Sequence, residues 1–145
     1  MGKAGSRGAP RHVHPTGIEM IHLDTSFLIR GLVRDSVEDR ALRKWLKDGE
    51  SLGMSTVAWT ELLCGPLEES HLDLATCVVS QRVAFLEEDA AVSARLFNES
   101  GRRRGSLIDC MIAASALRAG EPLATGNVGD FRRFAALGLK ILEAR

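Results

Sequence analysis

Four acidic residues of this 145-residue chain occupy positions where they could bind a metal ion together. Asp24 directly follows an apolar stretch, and Asp109 lies within an apolar helix start. Glu61 interrupts another apolar segment, and Asp130 comes shortly after a fourth. Carboxylate oxygens are preferred ligands of hard divalent cations such as Mg²⁺. Without a cation, gathered carboxylates raise one another's pKa and cost stability.

Each acid also has a structural explanation. Ser106 and Asp109 have the spacing of a capping box, in which a hydroxyl and an acid three residues later satisfy free amides at a helix N-terminus. Asn127 and Asp130 repeat that spacing. Asp24 would then be a turn residue, and Glu61 would be an exposed helix residue. Taken alone, the segment around Asp109 favours the cap, because acids are common in the first turn of a helix.

The elements that would position these acids alternate between strands and helices from Met20 onward. The predicted strands cover 21–23, 52–54, part of 78–85, 122–125 and 139–142, and the predicted helices cover 27–33, 37–48, 56–64, 67–76, 88–100, 106–119 and 127–137. This alternation predicts an α/β fold, with a mostly parallel central sheet flanked by helices on both faces.

In such sheets, ligands bind beyond the carboxyl ends of the strands. Asp24 closes the first predicted strand, and Asp130 follows the strand that ends at Thr125. Glu61 and Asp109 lie early in helices that could reach the same edge. Since four acids from four separate segments would converge there, we favour a metal site over four unrelated structural roles.

The composition indicates the number of domains and the kind of protein. A chain of 145 residues with 45% hydrophobic content predicts one domain, at residues 20–145, and 19 basic against 19 acidic residues exclude a uniformly basic surface. Residues 1–19 are rich in Gly, Arg, Pro and His, and we expect a disordered leader or an expression remnant there. Three cysteines without C-x-x-C spacing indicate reduced thiols, expected in the core. The sequence contains no apolar run of membrane-spanning length, so we expect a cytoplasmic protein without a membrane partner.

From Met20 onward the chain resembles PIN-domain ribonucleases, specifically the VapC-type toxins of bacterial toxin–antitoxin pairs. The resemblance covers almost the whole of this region. It rests on four motifs in a fixed order: Ile21-His-Leu-Asp24-Thr-Ser26, Thr60-Glu61-Leu-Leu, Asp109-Cys-Met-Ile-Ala-Ala114 and Ala124-Thr-Gly-Asn127-Val-Gly-Asp130-Phe131.

The resemblance implies a PIN-like three-layer fold and a catalytic set of Asp24, Glu61, Asp109 and Asp130. Asp24 and Asp109 would bind the metal, and the implied residues that orient ligands or water are Ser26, Thr125 and Asn127. Many PIN domains place the fourth acid two residues after the Ser or Thr, where this chain has the neutral Asn127. Asp130 fills the fourth position only if the toxin-type pattern holds.

The implied activity is that of an endoribonuclease toxin that hydrolyses RNA phosphodiester bonds with Mg²⁺, or alternatively Mn²⁺. Its RNA would be structured, such as tRNA or rRNA, and its products would carry 5′-phosphate and 3′-hydroxyl ends. The implied partners are a cognate antitoxin that inhibits the enzyme and a second copy in a homodimer. The alternative is a non-catalytic PIN-like module that binds RNA or protein.

A local basic patch would have to meet the RNA, because the net charge is zero. Arg102, Arg103 and Arg104 precede the Asp109 helix between two glycines, and we predict that they bind the RNA backbone. Arg132 and Arg133 follow Asp130, where an ordinary solvated face is an equally good interpretation.

Overall fold

The structure, a computed structural model, describes residues 20–144 and contains one parallel sheet. The strand order is β3-β2-β1-β4-β5, and every pairing is parallel. The strands are β1 (Ile21–Leu23), β2 (Leu52–Ser55), β3 (Gln81–Val83), β4 (Leu123–Ala124) and β5 (Ile141–Leu142). The leader predicted at residues 1–19 lies outside the described residues. Within residues 20–144, none of the helices has the length and apolar character needed to span a bilayer.

Helices flank this sheet, as the sequence pattern predicts. They are α1 (Thr25–Gly31), α2 (Val37–Lys47), α3 (Thr56–Cys64), α4 (Glu69–Val78), α5 (Glu87–Glu99), α6 (Leu107–Ala119) and α7 (Val128–Ala135). The signals that end them are visible in the sequence: Gly120 adopts a left-handed φ of 68° directly after α6, as glycine does without a steric penalty. The α/β prediction is therefore confirmed.

The strand order brings three chain segments to one edge of the sheet. β1 is central, with His22 in register with Gly53 on one side and with Leu123 on the other. The ladder extends one residue further, because the Asp24 amide donates to the Ala124 carbonyl at 3.0 Å. The residues that follow β1, β2 and β4 are therefore neighbours at the carboxyl edge.

A continuous apolar core holds these segments in place. Leu23, Phe27 and Met54 are fully buried, and Phe27 stacks on Trp45 with ring centroids 5.5 Å apart. Phe131 and Phe134 anchor α7 in the same core. Since burial of one such side chain contributes roughly 1.5–3 kcal/mol, the core fixes the helices on which the acidic residues lie.

The prediction for the cysteines is correct for one of the three. Cys110 is buried within α6, whereas Cys64 and Cys77 are exposed. Both exposed thiols lie in the last turn of a short helix, α3 or α4, on the side that faces solvent. Apolar neighbours in the sequence do not reveal on which side of a helix a residue points.

Candidate active site

Asp24 is buried at the carboxyl end of β1 and forms hydrogen bonds through both carboxylate oxygens. It caps α1 by accepting a hydrogen bond from the Phe27 amide at 2.8 Å. The Ser26 hydroxyl lies 2.8 and 3.0 Å from the two oxygens, and the Thr125 hydroxyl donates to Oδ2 at 2.6 Å. Burial raises the pKa of Asp24, and these hydrogen bonds oppose the rise.

Glu61 projects from α3 beside the start of α1. The Thr25 hydroxyl lies 3.1 Å from its Oε1 and 2.9 Å from the Ala58 carbonyl, so Thr25 links the glutamate to the turn after β1. The negative charge of Glu61 contributes to the raised pKa of Asp24. The sequence does not mark Thr25 as a site residue, because a threonine directly after a strand is commonly a helix-capping residue.

Asp109 lies in the first turn of α6 and is partly buried. Its pKa is raised to about 6, first by burial and then by the negative charge of Asp130. Arg133 opposes this rise, with its guanidinium 4.0 Å from the carboxylate, whereas Glu61 and Asp24 add to it. All four predicted acids are therefore electrostatically coupled through Asp109.

The capping explanation for two of the acids is wrong. Ser106 has helical backbone angles, φ −95° and ψ −2°, and its hydroxyl donates to the Arg103 carbonyl at 2.6 Å instead of accepting from α6. Asn127 precedes α7 without a side-chain cap bond. Neither Asp109 nor Asp130 is therefore part of a capping box.

Two adjoining clefts open between these elements. The acid cleft, of about 240 Å³, is lined by Asp24, Ser26, Glu61, Asp109 and Asn127, with apolar walls from Ile29, Ile112 and Phe131. The arginine cleft, of about 180 Å³, is lined by Arg103, Arg104, Ser106, Asp109, Asp130 and Arg133. Asp109 lines both clefts. The structure thus brings three of the four acids into one cleft and places Asp130 in its neighbour.

Two of the predicted site residues, Thr125 and Arg102, line neither of these clefts. Thr125 is buried behind Asp24 and accepts a hydrogen bond from the Asn127 amide at 2.9 Å. Arg102 lines neither cleft: its guanidinium is hydrogen-bonded to Asn98 and lies 5.2 Å from the centre of the Phe97 ring.

Arg30 supports the acid cleft from α1, although the sequence does not mark it. Its Nη1 donates to the Gly126 carbonyl at 2.7 Å, and its Nη2 lies 3.3 Å from Oδ1 of Asn127. A Cβ atom at Gly126 would come within 2.5 Å of Nη1, so a larger residue there would displace the Arg30 side chain from this position. The contact joins residues 96 and 97 positions apart, and no local pattern could predict it.

The acid cleft suits a hard cation by its donor chemistry, since it presents carboxylate, hydroxyl and amide oxygens. Within residues 20–144, no three acidic, His or Cys side chains are already grouped around one point. Mg²⁺ commonly binds to one or two carboxylates and retains water or substrate oxygens. Asp24 and Asp109 can provide that smaller set.

A family model for the PIN domain matches residues 21–137, which is most of the chain. The protein therefore belongs to the PIN domain family, and the resemblance of its motifs to PIN domains is confirmed. A comparison with curated proteins found no significant match.

Solved structures with the same fold include chains from several toxin–antitoxin complexes. A chain of VapBC2 from Rickettsia felis, bound to a fragment of promoter DNA, has a TM-score of 0.69 and 18% identity over 86% of this chain and 98% of its own. VapBC-1 from nontypeable Haemophilus influenzae gives a TM-score of 0.65 and 22% identity, with 86% and 97% covered. A toxin–antitoxin complex from Klebsiella pneumoniae gives 0.63 and 24%, with 77% and 89% covered.

Proposed function

We propose that this PIN-domain protein is a metal-dependent endoribonuclease toxin that hydrolyses phosphodiester bonds of a structured RNA such as tRNA or rRNA. The observation that carries the proposal is the convergence of Asp24, Glu61 and Asp109 on the acid cleft. The raised pKa of Asp109, about 6, supports it, because coupled carboxylates in a cleft mark functional sites more often than structural ones.

In this proposal Asp24 and Asp109 hold Mg²⁺ or Mn²⁺. The bound cation would supply Lewis-acid stabilisation of the charge that develops on the phosphate. Ser26 and Thr125 fix the Asp24 carboxylate through their hydroxyls, and Asn127 presents its amide at the rim of the cleft. A fixed carboxylate keeps its productive orientation without reorganising during the reaction.

Glu61 and Asp130 are the other two proposed catalytic acids. Glu61 lies in the acid cleft and is positioned by Thr25 to accept a proton or to orient water. Asp130 acts from the arginine cleft through its charge on Asp109. Of the three arginines predicted to bind RNA, Arg103 and Arg104 line that cleft, and Arg102 would contact RNA only outside it.

The toxin role rests on relatives whose structures are toxin–antitoxin complexes. A cognate antitoxin would inhibit this chain by placing a basic side chain in the acid cleft, where a guanidinium could pair with the clustered carboxylates. We also propose a homodimer, and a cytoplasmic location where tRNA and rRNA are available.

The test is incubation of the purified protein with total tRNA and rRNA, followed by mapping of new 5′ ends. We expect discrete cleavage sites with 5′-phosphate products in Mg²⁺ or Mn²⁺, and none in excess EDTA or with Asp24→Asn. Cleavage that persists in EDTA would contradict metal dependence. Tight RNA binding without cleavage in any metal would favour the non-catalytic module instead.

A further inference from the structure

The arginine cleft contains a guanidinium that the proposed reaction does not use. Arg133 is largely buried, with its side chain 18% exposed, and lies over the Phe134 ring, 4.6 Å from the ring centre. Its Nε is buried and has no hydrogen-bond acceptor among residues 20–144. A buried donor without an acceptor is costly, and the Arg133 side chain also lines the polar cleft, where an anion could pair with the rest of its guanidinium.

The carboxylate that faces Arg133 does not form a hydrogen bond with it. Asp109 is the acid paired with it, and their 4.0 Å separation is too long for a hydrogen bond. Arg103 and Arg104 extend over the same cleft from the turn before α6, so three guanidinium groups face two carboxylates, those of Asp109 and Asp130. The excess charge of the cleft is positive, whereas the acid cleft beside it is negative.

We propose that the arginine cleft is a subsite for one backbone phosphate of the RNA, next to the phosphate that is cleaved, with Arg133 as its buried donor and Arg103 and Arg104 at its rim. The proposal deepens the proposed nuclease function and rests on it. Because Asp109 lines both clefts, a phosphate held by Arg133 lies adjacent to the acid cleft. Arg133 is then a positioning residue that sets which linkage reaches the acids.

The chemistry of the arginine cleft suits a phosphodiester group of the RNA backbone. A guanidinium offers parallel N–H donors that match two phosphate oxygens, and the Phe134 ring lies against the Arg133 guanidinium. Arg103 and Arg104 are exposed, so their side chains can adjust to the path of the RNA backbone.

The experiment measures binding of a fluorescent single-stranded RNA in EDTA, where the proposed cleavage does not occur. A set of oligonucleotides carries one neutral methylphosphonate at each linkage in turn. The variants are Arg133→Gln and Arg104→Gln, the second because the exposed Arg104 does not threaten folding. Arg40→Gln is the matched control, since it removes one positive charge from an exposed position on α2 outside both clefts.

We expect one linkage whose neutralisation weakens wild-type binding about tenfold, as for loss of a charge-assisted hydrogen bond. The same substitution should have no effect in Arg133→Gln and a reduced effect in Arg104→Gln, with the wild-type profile retained in Arg40→Gln. The salt dependence should lose about 0.7 from its slope for each phosphate contact removed.

A flat methylphosphonate profile, or equal losses in Arg104→Gln and Arg40→Gln, would overturn the subsite. This outcome is distinguishable from failure of the nuclease, because the assay needs no cleavage. RNA cleavage together with a flat profile would support the nuclease function and contradict the subsite. A position-specific profile without cleavage in any metal would leave a phosphate site and remove the nuclease.

Discussion

The Thr125 hydroxyl donates to Oδ2 of Asp24 over 2.6 Å and thereby connects the carboxyl ends of β4 and β1, which are 101 residues apart in the chain. The Thr125 hydroxyl oxygen in turn accepts a hydrogen bond from the backbone amide of Asn127 at 2.9 Å. One buried hydroxyl thus orients a proposed metal ligand and fixes the turn that carries Asn127.

Replacement of Thr125 by valine keeps the volume and removes both hydrogen bonds. Because a buried carboxylate oxygen loses its donor, we expect a loss of about 1–3 kcal/mol of unfolding free energy. RNA cleavage should fall about 10- to 100-fold, as for other residues that orient a metal ligand. Denaturant unfolding and initial cleavage rates measure the two effects. Thr125→Ser should restore both, and an inactive serine variant would count against an orienting role for the hydroxyl.

Arg30 holds the backbone of the same turn from outside. Its side chain is 49% exposed, so Arg30→Gln should change the unfolding free energy by less than about 0.5 kcal/mol. Cleavage should nevertheless fall about tenfold, because the Gly126 carbonyl and the side-chain oxygen of Asn127 lose their hydrogen-bond donor. Arg34→Gln, an equal change of charge at a nearby exposed position, is the control. Equal activities of the two variants would mean that Arg30 does not position the turn.

Asp39 provides a test of stability against pH away from the proposed site. Its Oδ2 accepts from the amide of Asp35, which has a φ of 66°, and its Oδ1 accepts from Arg43. The Asp35 hydrogen bond, followed by Arg43, holds the pKa of Asp39 below its usual value of 3.8. The stability contributed by the ionised group is therefore complete above the unfolded-state pKa and is lost as pH falls through the lower folded-state pKa.

Asp39→Asn should accordingly be less stable than wild type at pH 7, and the difference should shrink as the pH falls below about 4. Denaturant unfolding of both proteins between pH 3 and pH 7 measures this difference. A difference that stays constant across the range would show that the charge of Asp39 is not the origin of the effect.

The proposed homodimer predicts a defined mass in solution. Several large apolar side chains are exposed, including Val33 at 61% and Leu63 at 53%, and a second copy could cover some of them. Sedimentation at micromolar concentration should give twice the chain mass of 15.7 kDa. A monomer at high micromolar concentration would contradict the homodimer and leave the site unaffected.

The sequence predicts most elements because they have local signals, whereas the bounds of β3 within 78–85 are not marked. The Ser36 hydroxyl caps α2 by accepting from the Asp39 amide, and Gly120 ends α6 in the left-handed region, at the bounds predicted for these two helices. Local signals fail where backbone angles decide. Ser106 has the right spacing for a cap, but its helical ψ and its bond to the Arg103 carbonyl keep the hydroxyl away from α6.

The acids themselves could be found from the sequence, whereas their distribution between two clefts could not. Asp130 lines the arginine cleft together with Asp109, whereas the next residue, Phe131, is buried and lines the acid cleft. The contacts of Arg30 and Arg133 depend on strand order and helix packing. Such contacts join distant parts of the chain and produce no periodic pattern in the sequence.

The central claim is that Asp24 and Asp109 bind a divalent cation in the acid cleft, and thermal unfolding of wild type and Asp109→Asn with and without Mg²⁺ tests it most directly. Without metal, Asp109→Asn should be at least as stable as wild type at pH 7, because a carboxylate with a raised pKa is destabilising when ionised. At 100 times the dissociation constant, Mg²⁺ should stabilise wild type by about 2.7 kcal/mol and the variant far less. Equal Mg²⁺ stabilisation of both proteins, with cleavage retained in Asp109→Asn, would contradict the account.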